Sequence, residues 1–298
     1  MRRCLLLLLL VGSWVGCDTA SNDVRPEAVV QSYQVAGDSL APVWLSRAAP
    51  VNSTDPLPGL TGATVVVERL GADGQTVQAT YPYVAGDSAG VYVPVTPGVQ
   101  VAPRATYRLR ATLANGTRLQ ATTTVPDTFS IVRATNPTVP FRGGAQPSFR
   151  ITRSDVGARP LSVIFSVTSQ LDFTRPDSQL VNQLTPFYAD SYDPAEQPIE
   201  ELRLVTSGLL NAANFTTNPD GTITVDLPWI GVAFYGPNRV AISVPDDNLF
   251  DMLRSQTAQQ GALAPGEIPN IIEHVEGGTG VFGSYARVQQ AVRITRPE

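Results

Sequence analysis

ATYRLRATLANGTRLQATTTV, Ala105 to Val125, decides the fold. In its first half Tyr107, Leu109, Ala111 and Leu113 alternate with Arg108, Arg110 and Thr112, the period-two pattern of a strand that buries one face. In its second half Leu119, Ala121, Thr123 and Val125 lie opposite Arg118, Gln120, Thr122 and Thr124. The loop between the halves fixes how they pair. If Asn115-Gly116 alone formed a two-residue turn, Leu113 would face Arg118 and the two apolar rows would point to opposite sides. A three-residue loop pairs Leu113 with Thr117 and Ala111 with Leu119, and puts both rows on one face. The sequence therefore predicts a type I turn over Ala114-Asn115, with Gly116 left-handed in a G1 bulge.

The same alternation runs outward from this hairpin. EAVVQSYQV (27–35), PVWLSRA (42–48), ATVVVERL (63–70), QATYPYV (78–84) and GVYVPV (90–95) read as strands separated by Gly, Pro, Asp and Asn turns. With the hairpin they make about seven strands over 27–126, the pattern of an immunoglobulin-like or transthyretin-like β-sandwich, which Pro126 closes. A second β-rich domain is expected over 127–298, with strands near SFRITR (148–153), LSVIFSV (161–167), LRLVTS (202–207), ITVDL (223–227) and RVAISV (239–244). One short helix interrupts it, capped by Asp246 or Asp247, with Leu249, Phe250 and Leu253 on one face. PFYADSYDPAEQPI (186–199) reads as an acidic surface loop. The fold class is all-β. Trp44, in VWL, is expected in the core, where large aromatics dominate burial.

The amino terminus reads as an address. Met1-Arg2-Arg3 precedes an apolar run from Cys4 to Val15, too short for the roughly 20 residues that a membrane-spanning helix needs. Two arginines, an apolar centre and a small residue before a cut site describe an export signal over 1–16. Gly16-Cys17 resembles the end of a bacterial lipoprotein signal, which makes Cys17 the lipidation site and 17–26 an anchor and linker. Two or three acyl chains hold a protein on a bilayer where one holds it marginally. Trp14 stands where such signals usually carry an aliphatic residue, and an ordinary secretory signal is the competing reading. The other cysteine, Cys4, lies inside the signal, so the mature chain has none for a disulfide, a zinc site or a thiol nucleophile. All 21 basic residues are arginine, which leaves no lysine for Schiff-base chemistry. Removing Arg2 and Arg3 takes the net charge from −5 to −7, which argues against nucleic acid or anionic lipid headgroups as partners.

Three motifs invite a catalytic or cofactor reading and each fails on context. GDSL (37–40) matches the serine motif of a lipase-like hydrolase family that also needs Asp-x-x-His, whereas the single histidine, His274, follows Ile271-Ile272-Glu273. GDSAG (86–90) resembles a nucleophile elbow, but Ser88 lies between two strand patterns and not on a strand-to-helix turn. GTGVFG (278–283) matches a dinucleotide fingerprint with too little chain after it for a βαβ unit, and reads as a tight final turn. His274 reads as structural. The acids Asp190, Asp193, Glu196, Glu200 and Glu201 lack the spacing of a calcium loop. Trp44 and Trp229 give little for a sugar-stacking platform. No catalytic residue, cofactor or metal ligand is assigned.

The early strand leading to VWLSRAAPV, the GATVVVE strand, the segment from YPYV to TTTVP and the terminal PNIIEHVEGGTGVFGSY, behind Cys17, resemble a lipoprotein family of unknown function from Bacteroidota-type bacteria. The likeness runs over nearly the whole chain. It implies a location on the outer membrane, frequent encoding beside TonB-dependent receptors, and no established catalytic residues. The expectation is a non-catalytic, lipid-anchored accessory to nutrient uptake; a structural or adhesive envelope module is the alternative.

Overall fold

Why the first unit closes is explained by its strands. The computed structural model describes residues 28–48, 57–154, 159, 161–260, 272 and 274–297. The first strands are β1 (Ala28–Val35), β2 (Val43–Arg47), β3 (Thr64–Leu70), β4 (Val77–Ala85), β5 (Val91–Pro94), β6 (Thr106–Thr112) and β7 (Arg118–Thr124). The β6–β7 hairpin has the register required by its apolar rows. Ala111 pairs with Leu119, Leu113 N–H donates to Thr117 O at 2.8 Å, and Gly116 N–H donates to Leu113 O at 2.9 Å with φ +86°. The remaining strands join it in the antiparallel order β1-β2-β5-β4-β3-β6-β7. Their inward rows, including Val43, Leu45, Val65, Val67, Tyr107, Leu109 and Leu119, form one core.

The second unit stacks two sheets. Its elements are β8 (Ile131–Thr135), β9 (Thr138–Pro140), β10 (Ser148–Ile151), β11 (Ser162–Ser169), α1 (Asp177–Val181), α2 (Pro186–Ser191), β12 (Leu204–Thr206), β13 (Leu210–Asn211), β14 (Thr216–Thr217), β15 (Ile223–Asp226), β16 (Gly236–Pro245), α3 (Asp247–Gln260), β17 (Val275–Glu276) and β18 (Thr279–Thr295). The order β14-β15-β10-β8 forms one sheet and β12-β11-β16-β18 belongs to the other. Phe149 from the first meets Phe165 from the second at 6.3 Å between ring centres, within a core of Ile151, Ile223, Val225, Val240 and Ile242. The architecture is the expected all-β one.

The terminal segment ties the units together. β17 pairs with β7 at Val275↔Ala121, and two residues later β18 begins its parallel pairing with β1, from Val29↔Thr279 to Val35↔Tyr285. Both edges of the first sheet thus meet the same stretch of chain. Phe282 on β18 is fully buried in the first core, while Ala286, Val292 and Ile294 on the same strand face are buried in the second. Glycine makes the approach possible. Gly280 has φ +105°, and a Cβ there would lie 2.1 Å from Val30 O.

Several expectations are corrected. GTGVFG is not a final turn: the turn lies at Gly277-Gly278, and the rest of the motif enters a 17-residue strand. PFYADS, expected as loop, is the short helix α2, with Pro186 at its start. Tyr188 and Tyr192 pack beside Leu180, Leu184 and Ile199, and six residues are too few to show helical periodicity. LRLVTS is a strand only over Leu204–Thr206, because Ile199–Arg203 winds into a 3₁₀ helix. Trp44 is not core. Val43 and Leu45 point inward on β2, so the pleat turns the tryptophan between them outward, and it is 42% exposed.

Phe282→Ala is expected to cost about 3–5 kcal/mol, the usual range for emptying a buried aromatic site. Since β18 serves both cores, Trp44 and Trp229 emission should report the same lowered urea midpoint. A shift confined to one of the two signals would contradict that coupling.

Candidate functional site

The junction between the units is built around a buried carboxyl. β16 runs off its sheet at Pro245, and Asp246 then caps α3: its Oδ1 accepts the Leu249 N–H at 3.0 Å, and its backbone carbonyl accepts the Phe250 N–H at 2.9 Å. Its Oδ2 accepts the Thr123 hydroxyl of β7 at 2.5 Å, and its own N–H donates to Ser284 O of β18 at 2.8 Å. Thr123 Oγ1 and Ser284 Oγ lie 2.7 Å apart. Asn248 adds two bonds, from Nδ2 to Thr122 O at 2.7 Å and to Phe282 O at 2.8 Å. The first turn of α3 is thereby bonded to β7 and β18. Burial raises the Asp246 carboxyl above the usual carboxylate range, and the hydrogen bonds from Thr123, Leu249 and Ser284 only partly offset it.

A cavity of about 470 Å³ opens beside this cap, lined by Arg104, Thr122, Thr124, Val125, Pro126, Asp127, Arg159, Asp246, Asp247 and Asn248. Its volume lies in the range of small-molecule sites, which favour domain junctions. Its charges come in two opposed pairs, Arg104–Asp127 at 2.5 Å and Arg159–Asp247 at 2.6 Å. Arg104 holds a left-handed backbone with φ +59°, a conformation uncommon outside glycine, asparagine and aspartate. Arg159 also donates to Pro245 O and packs over the Phe250 ring at 4.8 Å. The arrangement offers donors and acceptors of both signs around a polar floor.

The residues weighed in the sequence are scattered. Ser88 is exposed in the β4–β5 hairpin and lines neither hollow that His274 lines. His274 Nε2 lies 2.9 Å from Asp251 Oδ2 on α3. Ser39 sits in the turn after β1, bridged to Gln100, and Asp38 accepts from Arg287 at 2.8 Å. The acids of 190–201 stay apart: among the described residues no three His, Cys, Asp or Glu gather as for a metal. Trp229 is half-buried, edge-on to Phe141 at 5.1 Å. Cys17 and the export signal lie outside the described residues. Sequence reasoning missed Asp246, Thr123 and Ser284 as a group. The signal was a hydroxyl at an inward position, since Thr123 interrupts the buried row of Leu119, Ala121 and Val125.

A family model described as a domain of unknown function, DUF4249, matches residues 18–291, and the chain belongs to that family. No curated protein matches it. Among solved structures, trypsin-activated alpha-2-macroglobulin from Escherichia coli is 12% identical with a TM-score of 0.21, covering 90% of this chain and 15% of its own. Murine CEACAM1b is 10% identical with a TM-score of 0.19, covering 91% of this chain and all of its own. The protocadherin gammaB7 EC3-6 cis-dimer is 14% identical with a TM-score of 0.20, covering 92% and 51%. At these scores none carries an argument about this chain.

A buried carboxyl whose folded pKa lies above its unfolded value contributes stability while protonated, and that contribution is lost as pH rises through the folded value. Asp246→Asn keeps the cap acceptor and a donor toward Thr123 without the charge. The urea midpoint of the variant relative to the parent is therefore expected to rise as pH climbs from the ordinary carboxylate range upward. A difference that stays flat with pH would contradict the buried, charge-averse setting of Asp246.

Proposed function

We propose that this protein is a lipid-anchored binding protein of the cell envelope, a non-catalytic accessory to a TonB-dependent nutrient uptake system held on the outer membrane through Cys17. The observation that carries the reading is the sequence at its start: a short apolar export signal ending in Gly16-Cys17, ahead of a chain with no further cysteine. Among the described residues no helix is long and apolar enough to cross a membrane, which is compatible with an acyl tether as the means of attachment. The resemblance to outer-membrane lipoproteins encoded beside TonB-dependent receptors supports the choice of partner. The cleft at Arg104, Arg159 and Asn248 supports a binding role: it offers two opposed ion pairs and an amide around its floor.

The second reading is a structural or adhesive envelope module. It is favoured by the pairing of both cleft arginines with carboxylates, since a solute would have to compete with them. Purifying the native lipoprotein from membranes separates the two. Recovery of a barrel receptor supports uptake, and recovery of no stable partner supports the structural module. Cys17→Ala is expected to lose acyl label and leave the membrane fraction. A variant that stays as firmly membrane-associated as the parent, with no acyl group on the parent, would overturn the anchor.

A further inference from the structure

The pleat that turns Trp44 outward makes it part of a larger apolar face. Trp44 on β2 stands directly opposite Val91 on β5, Val84 on β4 opposite Val93 on β5, and Val66 on β3 opposite Pro82 on β4, while Val95 N–H donates to Pro82 O at 2.9 Å. Directly paired residues share a face, so these side chains lie together on the outside of the sheet. Trp44, Val84 and Val95 are 42%, 50% and 51% exposed. A scattered exposed valine needs no explanation, but a continuous apolar face on a sheet does.

Arginine gathers along one edge of this face. Two residues beyond Val66 on β3, and so on the same side, Glu68 is held between Arg108 at 2.7 Å and Arg110 at 3.2 Å, which leaves one unbalanced positive charge there. None of the apolar face's own residues is acidic; Asp87 sits in the β4–β5 hairpin tip. In a chain of net charge −5, which becomes −7 once Arg2 and Arg3 are removed with the signal, an apolar sheet face with an outward tryptophan and two arginines along its β6 edge is a local exception. Indole rings favour the boundary between acyl chains and headgroups, and arginines suit phosphate oxygens.

Chain length brings the face within reach. From Cys17 to Ala28 the backbone spans at most about 40 Å. Trp44 pairs with Gln31, about 10 Å along β1 from Ala28 at about 3.3 Å per residue. Tethering makes docking an intramolecular event, so a small face suffices where a free protein would need a large one. We infer that the outer face of β2, β5 and β4, centred on Trp44, Val84 and Val95, rests on the headgroup boundary of the bilayer that holds the anchor. β3 and β6 stand between β4 and the cleft strand β7 in the sheet order. The docked face is therefore distinct from the solute cleft.

The inference rests on Cys17 as the anchor, and the test reads the two separately. The native lipoprotein carrying Trp229→Phe, so that Trp44 is the remaining tryptophan after the signal, is reconstituted into vesicles of phosphatidylethanolamine and phosphatidylglycerol with brominated acyl chains. Mass spectrometry of the amino-terminal fragment reads the anchor. Tryptophan emission reads docking: Trp44 is expected to shift to the blue, to be quenched by bromine and to be shielded from aqueous iodide. Val84→Asn with Val95→Asn, both at exposed positions, should restore iodide access without moving the urea midpoint. An acylated protein whose Trp44 remains open to iodide keeps the anchor and overturns the docking. So does shielding of Trp44 in the unacylated Cys17→Ala protein in buffer without lipid or detergent, which would mark a second copy or another protein on this face. If no acyl group is found, the same protein is added to the vesicles from solution; bromine quenching then upholds the docking and its absence overturns it.

Discussion

The fold depends on one strand pairing two partners far apart in the chain, one near its start and one shortly before the strand itself. β18 runs parallel to β1 through seven residue pairs and antiparallel to β16 through ten. It buries Phe282 in one core and Ala286, Val292 and Ile294 in the other. Successive side chains on a strand alternate in direction, so one row of even-numbered residues serves both interiors without a twist in register. The demand this makes on the backbone is met by glycine at 280, where any side chain would collide with the carbonyl of Val30.

That pairing also creates the junction where α3 begins. Because β18 brings Ser284 beside Thr123 of β7, the cap of α3 finds hydroxyl and amide partners from both units. An unpaired carboxyl at the same depth would be costly, and here it is hydrogen-bonded from three directions. The cleft follows from this geometry. Arg104 and Asp127 approach from the β7 side and Arg159 and Asp247 from the helix side, which leaves a polar hollow between two rigid elements. Lipid contact through the Trp44 face and solute contact through the cleft would occupy separate parts of the surface.

Much of the β architecture was legible because its signals are local. The alternation of β6 and β7, and the loop length that alone aligns their apolar rows, fixed the register down to Gly116. The cap of α3 was readable as Asp246 or Asp247, ahead of Leu249 and Phe250, and the bond from Leu249 N–H decides for Asp246. The helix α2 was not readable, because six residues starting at a proline show no period, and it is held by Tyr188, whose hydroxyl donates to Ile230 O 42 residues on. Trp44 misled in the opposite way. Its apolar neighbours suggested a core site, although two apolar neighbours in a strand are evidence that the residue between them faces outward.

By itself the sequence determined the strands of the first sheet, the hairpin turn, the start of α3 and the class of the fold, since each rests on residues close together in the chain; the strands over 131–140 and 275–295 were not legible in it. Only the tertiary structure decided that the last strand closes the first sheet, that Thr123, Asp246 and Ser284 meet, and that Trp44 joins valines from β4 and β5 on an open face. Those depend on pairings between segments up to about 250 residues apart. Local propensity carries no information about such partners, which are selected by how the apolar rows of the whole chain can be buried together.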